Sequence, residues 1–195
     1  MNNCDEECRD QMETNFFAPM NLTRLVLPAM RERGSGTIIS MSSTAGIEAK
    51  PSRTLYSGSK FALEGFSEAL HAELKPLGIR VLLVEPGAFY TPFSGNLVLG
   101  SKEVPAQYEG TITEQVLQGV KDFARGNIKL PGDVEKGVQA IWDVVMKTGQ
   151  AEAMEEFVRL PLGKDGSARW EVKLEELKRN LDGTQKIWAN TDRDA

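Results

Sequence analysis

The segment from Thr37 to Val84 limits the fold more than any other part of this 195-residue chain. It opens with Thr37-Ile38-Ile39-Ser40-Met41-Ser42, a short β-branched run whose length suits a strand buried on both faces. From about Thr54 to Leu77 the pattern changes to a helical stripe of Leu63, Phe66, Leu70, Leu74 and Leu77, closed by Pro76-Leu77-Gly78. Ile79-Arg80-Val81-Leu82-Leu83-Val84 then reads as a second buried strand, ended by Pro86-Gly87. Strand, long helix, strand is the βαβ crossover, which nearly always joins parallel strands with a right-handed connection. The expected class is α/β with a parallel sheet.

The flanking segments extend that pattern. Residues from about Asn3 to Arg33 read as one helix, capped by Asn3 with Glu6 and favoured by the early acids Asp5, Glu6 and Glu7 at the positive end of the dipole. Met12, Phe16, Met20, Leu27 and Met30 recur at helical spacing as core or interface residues. Pro19 and Pro28 should bend this helix by removing backbone donors, and Gly34 and Gly36 end it. Residues 89–130 are rich in Gly, Pro, Ser and Thr, with one short helix expected around Thr113 to Ala124. A loop of that length after a parallel strand lies over the ligand crevice, so it is a candidate substrate lid. Pro131-Gly132-Asp133 then starts a helix with Val134, Val138, Ile141, Val145 and Met146 inward, and Phe157-Val158-Arg159-Leu160 suggests a third strand. A carboxyl-terminal helix over residues 165–190 carries the stripe Trp170, Leu174, Leu177 and Leu181; Trp142, Trp170 and Trp188 read as packing anchors.

Composition excludes several functions. Lys and Arg total 23 against 28 Asp and Glu, a net charge of -5, so there is no basic surplus for nucleic acid. The longest apolar runs, such as Val81-Leu82-Leu83-Val84, are far below the roughly 20 residues of a membrane span. The acidic start lacks the features of a secretory signal or presequence, which leaves a cytoplasmic location as the expectation. Cys4 and Cys8 lie one helical turn apart, but His71 is the only histidine and no second pair completes a tetrahedral site, so no metal is expected.

The chemistry concentrates in Tyr56-Ser57-Gly58-Ser59-Lys60, with Ser43 thirteen residues before Tyr56 at the carboxyl end of the first strand. Tyr and Lys at i and i+4 share a helix face. An ammonium near a phenol favours the phenolate, so Lys60 is expected to lower the Tyr56 pKa and let the phenol pass protons. Gly58-Ser59-Lys60 lacks the upstream glycine that a phosphate loop needs.

With that set on a crossover helix, the sequence closely resembles the short-chain dehydrogenase/reductase family between about Cys8 and Phe93. Glu13-Thr14-Asn15-Phe16-Phe17 is similar to the family's asparagine segment, Ser40-Met41-Ser42-Ser43-Thr44-Ala45-Gly46 to its serine strand, and Val84-Glu85-Pro86-Gly87 with Thr91 to its nicotinamide-side turn. Arg159-Leu160-Pro161-Leu162-Gly163 more loosely resembles a fungal-type branch acting on hydroxyl or ketone groups of small molecules. The resemblance implies NAD or NADP as cofactor and a small alcohol or ketone as substrate. It implies that Tyr56 is the acid or base, that Lys60 tunes it and binds ribose, and that Ser43 holds the substrate oxygen. Asn15 would order a water that relays protons to Lys60. Pro86, Gly87 and Thr91 would touch the cofactor, with Phe89, Tyr90 and Phe93 near the substrate. It also implies a homo-oligomer formed through the first helix and the Tyr-bearing helix.

The family's glycine-rich turn after a first strand does not occur in this sequence, nor does the residue that selects the cofactor. Three further strands with their crossovers would amount to roughly 90 residues. The expectation is thus a single Rossmann-like domain over residues 1–195, the amino-terminally truncated carboxyl half of a doubly wound parallel sheet, without a full dinucleotide site. In that setting Thr37 to Ser42 becomes an unpaired apolar edge. Two functions compete: an oxidoreductase interconverting hydroxyl and carbonyl groups, and a noncatalytic fragment that associates with partners.

Overall fold

In the computed structural model, which describes residues 4–193, three strands run in the order β1 (Gly36–Met41), β2 (Ile79–Pro86) and β3 (Arg159–Leu162). All neighbours are parallel, with Ile38 opposite Val81 and Leu83 opposite Arg159. The chain is α/β with a Rossmann-like sheet. Helix α3 (Thr54–Leu74) is the crossover between β1 and β2.

β2 is central and buried from Val81 to Glu85. Its alternating side chains serve two cores. Ile79 and Val81 join Ile38 beneath Leu70 and Leu74 of α3 and Leu27 of α2 (Ala18–Arg33), with Met30 and Phe66 packed alongside. Leu82 and Val84 point the other way, with Leu162, onto Ala140, Ile141, Val144 and Val145 of α5 (Val134–Met146). Helices therefore cover both faces of β2.

β1 differs from the expected strand buried on two sides. Ile38 and Ser40 are buried against α3, where Ser67 Oγ donates to Ser40 Oγ at 2.9 Å, while Ile39 and Met41 are 42% and 51% exposed. The helix α5 covers only β2 and β3. At the opposite edge β3 contains Pro161. The Val158 and Leu162 carbonyls accept from Leu83 and Gly87 of the β2 side, so Pro161 turns its donor-free nitrogen outward, the position a strand tolerates.

The first helix is α1 (Asp5–Met12), a π turn (Glu13–Phe17) and α2 in unbroken succession. The expected cap, Asn3, lies outside the described residues; Cys4 occupies the cap, its N–H donating to Glu7 Oε2 at 2.8 Å. Before Pro19 the helix widens into a π turn, where Ala18 N–H bonds the Glu13 carbonyl five residues back, and α2 continues through Pro28. Pro19 has no N–H for the Asn15 carbonyl four residues earlier. Gly78, left-handed at φ 71°, ends the turn after α3 where a Cβ would meet the Gly34 carbonyl.

Other expectations shift. α4 (Ile112–Ala124) matches the lid helix, and the rest of 89–130 is loop and short 3₁₀ turns. The third strand starts two residues later than expected because Arg159, not Phe157, is drawn to buried carboxylates. On α5 the inward face is Ala140, Ile141, Val144 and Val145; Val134, Val138 and Met146 are exposed, because the contact with the sheet falls on the second half of the helix. The tail is α6 (Lys164–Gly183) followed by α7 (Gln185–Trp188). Its leucines Leu174, Leu177 and Leu181 are exposed, as are Trp142 and Trp188, and of the three tryptophans only Trp170 is held inward. No helix among the described residues is long and apolar enough to cross a membrane.

Candidate active site

The carboxyl ends of β1 and β2 bring the singled-out residues together. Beyond Met41 the chain enters a 3₁₀ turn (Thr44–Gly46) capped by Ser43, whose Oγ accepts from Ala45 N–H at 3.1 Å. Tyr56, in the first turn of α3, places its phenol against the Ser43 hydroxyl. Lys60, one turn on, donates from Nζ to the Met41 carbonyl at 2.8 Å and lies 5.9 Å from the centre of the Tyr56 ring. The Lys60 ammonium is thus anchored to the β1 end and retains two N–H donors for other partners. Asn15, in the π turn, donates from Nδ2 to Ser59 Oγ at 3.0 Å, and Ser59 Oγ donates to the Tyr56 carbonyl at 2.7 Å. Asn15 therefore meets α3 at the residue before Lys60.

Pro86 ends β2, and the next turn is tied to the chain's carboxyl-terminal part. Gly87 N–H donates to the Leu162 carbonyl at 2.9 Å, and Ala88 N–H to Asp165 Oδ2 at 2.9 Å. A Cβ on Gly87 would fall on the Asp165 carboxylate, which explains the glycine. Thr91 Oγ1 accepts from Phe93 N–H at 3.3 Å. Phe89 packs inward under α5, while Tyr90 and Phe93 are exposed. An open cleft of about 640 Å³ runs from Pro51 and Leu55 to Leu99, Val104, Tyr108 and Leu117 in the 89–130 segment; its lining does not include Ser43, Tyr56 or Lys60.

The electrostatics depart from the expected lowering of the Tyr56 pKa. Burial pushes the phenol above its ordinary value, against smaller opposing effects of the Ser43 hydrogen bond and the Arg53 charge. Burial also lowers the Lys60 pKa, opposed by Glu64. The helix face that carries Tyr56 and Lys60 thus continues to Glu64, which the sequence reading did not single out. Glu64 is buried, and its Oε1 lies with Ser42 Oγ over Gly46, where a Cβ would come within 3.0 Å of both. Arg159 bonds Glu64, exposed Glu68 and Oε1 of Glu85, the last at 3.1 Å, and Trp170 Nε1 donates to the other Glu85 oxygen at 2.6 Å. Glu85 is fully buried. A signal existed in the sequence: Glu85 and Arg159 are charges inside apolar strands, which require buried partners.

Burial raises the Glu64 pKa to about 7, reinforced by Glu85 and opposed by the Ser42 hydroxyl and Arg159. A carboxyl raised above its ordinary value binds its proton more tightly when folded, so the stabilisation is full below the ordinary pKa and lost as pH rises through about 7. Urea unfolding should therefore show a more stable chain near pH 5.5 than near pH 7.5, with the difference removed in Glu64→Gln. An equal midpoint at both pH values in the unmodified chain would contradict this.

A family profile described as short chain dehydrogenase matches residues 2–101. The chain belongs to the short-chain dehydrogenase family. It is 33% identical over 176 residues to the uncharacterized oxidoreductase YusZ of Bacillus subtilis, covering 90% of this chain and 58% of that protein. It is 49% identical over 92 residues to the 3-ketodihydrosphingosine reductase of Bacteroides thetaiotaomicron, covering 47% of this chain and 34% of that protein. A crystal structure of a short-chain dehydrogenase from Streptomyces avermitilis superposes with a TM-score of 0.78 at 34% identity, over 98% of this chain and 66% of that one. A short chain dehydrogenase from Burkholderia cenocepacia, crystallised with NADP, shares the fold with a TM-score of 0.57 at 22% identity, over 92% of this chain and 61% of that one. The matched stretches of the chain thus cover from 34% to 66% of the length of these relatives.

Proposed function

We propose that the chain carries the substrate and nicotinamide-ribose side of an oxidoreductase site that interconverts a hydroxyl and a carbonyl with NAD or NADP. The observation that carries this reading is the convergence of Ser43, Tyr56 and Lys60 at the carboxyl ends of two parallel strands, beside the Gly87 turn. Ligands of open α/β sheets bind at that end. The two Lys60 donors not engaged with Met41 suit the hydroxyls of a ribose, and the Ser43 hydroxyl, near enough to act on the Tyr56 phenol, suits with it a substrate oxygen. When bound, the nicotinamide gives or takes the hydride.

In the reduction direction Tyr56 Oη gives its proton to the substrate oxygen while Ser43 Oγ donates a hydrogen bond to the same atom; in oxidation Tyr56 takes the proton back. Burial holds the phenol proton tightly, the Arg53 charge opposes it, and Lys60, anchored on the Met41 carbonyl, is the cation placed to favour the phenolate further once ligands are bound. Asn15, whose carbonyl lacks its Pro19 donor, orders the water that returns protons to Lys60. Pro86, Gly87 and Thr91 border the cofactor. Residues 89–130 form the substrate lid over the cleft beside Leu55. The whole 1–195 stretch acts as one domain with α6 as its carboxyl-terminal helix, in a cytoplasmic setting where Cys4 and Cys8 stay free thiols.

Titration with NADH and with NADPH, followed by nicotinamide fluorescence, should give saturable binding. Its absence would favour the second reading, a noncatalytic polypeptide that binds a partner, to which the exposed Ile39 and Met41 side of β1 lends support. The exposed Phe17, Leu22, Leu25 and Phe61 of the first helix and α3 further support self-association through these helices. Light scattering at micromolar concentration should give at least a dimer mass, and a monomer would remove that part of the reading.

A further inference from the structure

The leucine stripe of α6 is an apolar face that the fold does not use. Gly166 is buried, Arg169 Nη1 bonds Thr44 Oγ1 at 3.0 Å and Trp170 reaches Glu85, so the first half of the helix is seated on the domain. After Glu176 every residue of α6 is exposed. Leu174, Leu177 and Leu181, at 56%, 52% and 59% exposure, follow the alternating three- and four-residue spacing of a helix-pairing seam. α7 folds back so that Trp188 Nε1 donates to the Leu181 carbonyl at 3.0 Å, holding the end of the seam.

We propose that two copies of the chain pair antiparallel through this α6 seam. The charges beside it choose both the partner and the direction. With Leu174 of one copy opposite Leu177 of the other, Glu171 of each copy faces Lys178 of the other, and the two-fold axis makes that pair twice. A parallel pairing sets Lys173 of one copy beside Lys178 of the other, with no opposite charge for Lys178 there because Lys173 is itself engaged with Glu176 at 3.1 Å. Lys178 already meets Asp182 at 3.0 Å on its own helix, but both are well exposed, so that contact yields readily to a second partner. The seam lies on a different element from the α1–α3 surface, and the pairing does not depend on the oxidoreductase reading.

The test is a mixing experiment on the full chain carrying Cys4→Ser and Cys8→Ser. One population bears Glu171→Cys and the other Lys178→Cys, both at exposed positions. Under mild oxidation the 171–178 heterodisulfide should dominate. Predominant 171–171 and 178–178 homodisulfides, or no disulfide, would overturn the antiparallel pairing. In sedimentation equilibrium Glu171→Lys and Lys178→Glu should each weaken this association about tenfold, and the double exchange should restore it. A double exchange no stronger than the single ones would also overturn it.

Discussion

Arg159→Met is expected to lower the unfolding free energy by ~3–5 kcal/mol, read as a shift of the urea midpoint at constant slope. Arg159 is the only cation bonded to both Glu64 and Glu85 among the described residues, and the Glu85 side chain has no solvent exposure. Removing the guanidinium leaves two carboxylates facing each other in the interior, which is far more costly than the loss of an exposed pair. It also strips the cation from the Trp170 ring, whose centre lies 5.7 Å from Arg159 Cζ. Protonation of Glu64 relieves part of the repulsion, so the loss should be larger near pH 8 than near pH 5.5. A loss below about 1 kcal/mol at pH 8 would mean that water or rearrangement already compensates the pair.

Tyr56→Phe is expected to lower turnover by ~10²–10⁴-fold, with a much smaller effect on dinucleotide affinity. The substitution keeps the ring and removes only the oxygen that meets Ser43. Stopped-flow or steady-state loss of nicotinamide absorbance with a ketone substrate measures it. Unchanged turnover would remove Tyr56 as the proton carrier while leaving the fold and family assignment intact.

The crossover was legible because β2 and α3 express their periods without ambiguity: Ile79 and Val81 face one core, Leu82 and Val84 the other, and Leu63, Leu70 and Leu74 line the helix between. The Tyr56–Lys60 pair was legible for the same reason, since i and i+4 share a face on any helix. What local pattern does not contain is which face a neighbour covers. Val138 and Trp142 have helical spacing yet look outward, because contact with Leu82 and Val84 falls on the residues around Val144. That Glu85 and Arg159 need buried partners was legible, but that they meet each other and Glu64 was not, because the three lie on β2, β3 and α3, far apart in the chain. The raised Tyr56 pKa depends on burial that no spacing reports.

The two margins of the sheet are chemically unequal. On the β3 side Pro161 presents a ring where an incoming backbone would seek an N–H, and the strand is only four residues long. On the β1 side the strand is six residues long and two of its apolar side chains, Ile39 and Met41, are exposed. In this chain an approaching backbone therefore meets more acceptor and donor groups along β1 than along β3, and Ile39→Lys would be the economical way to blunt that margin.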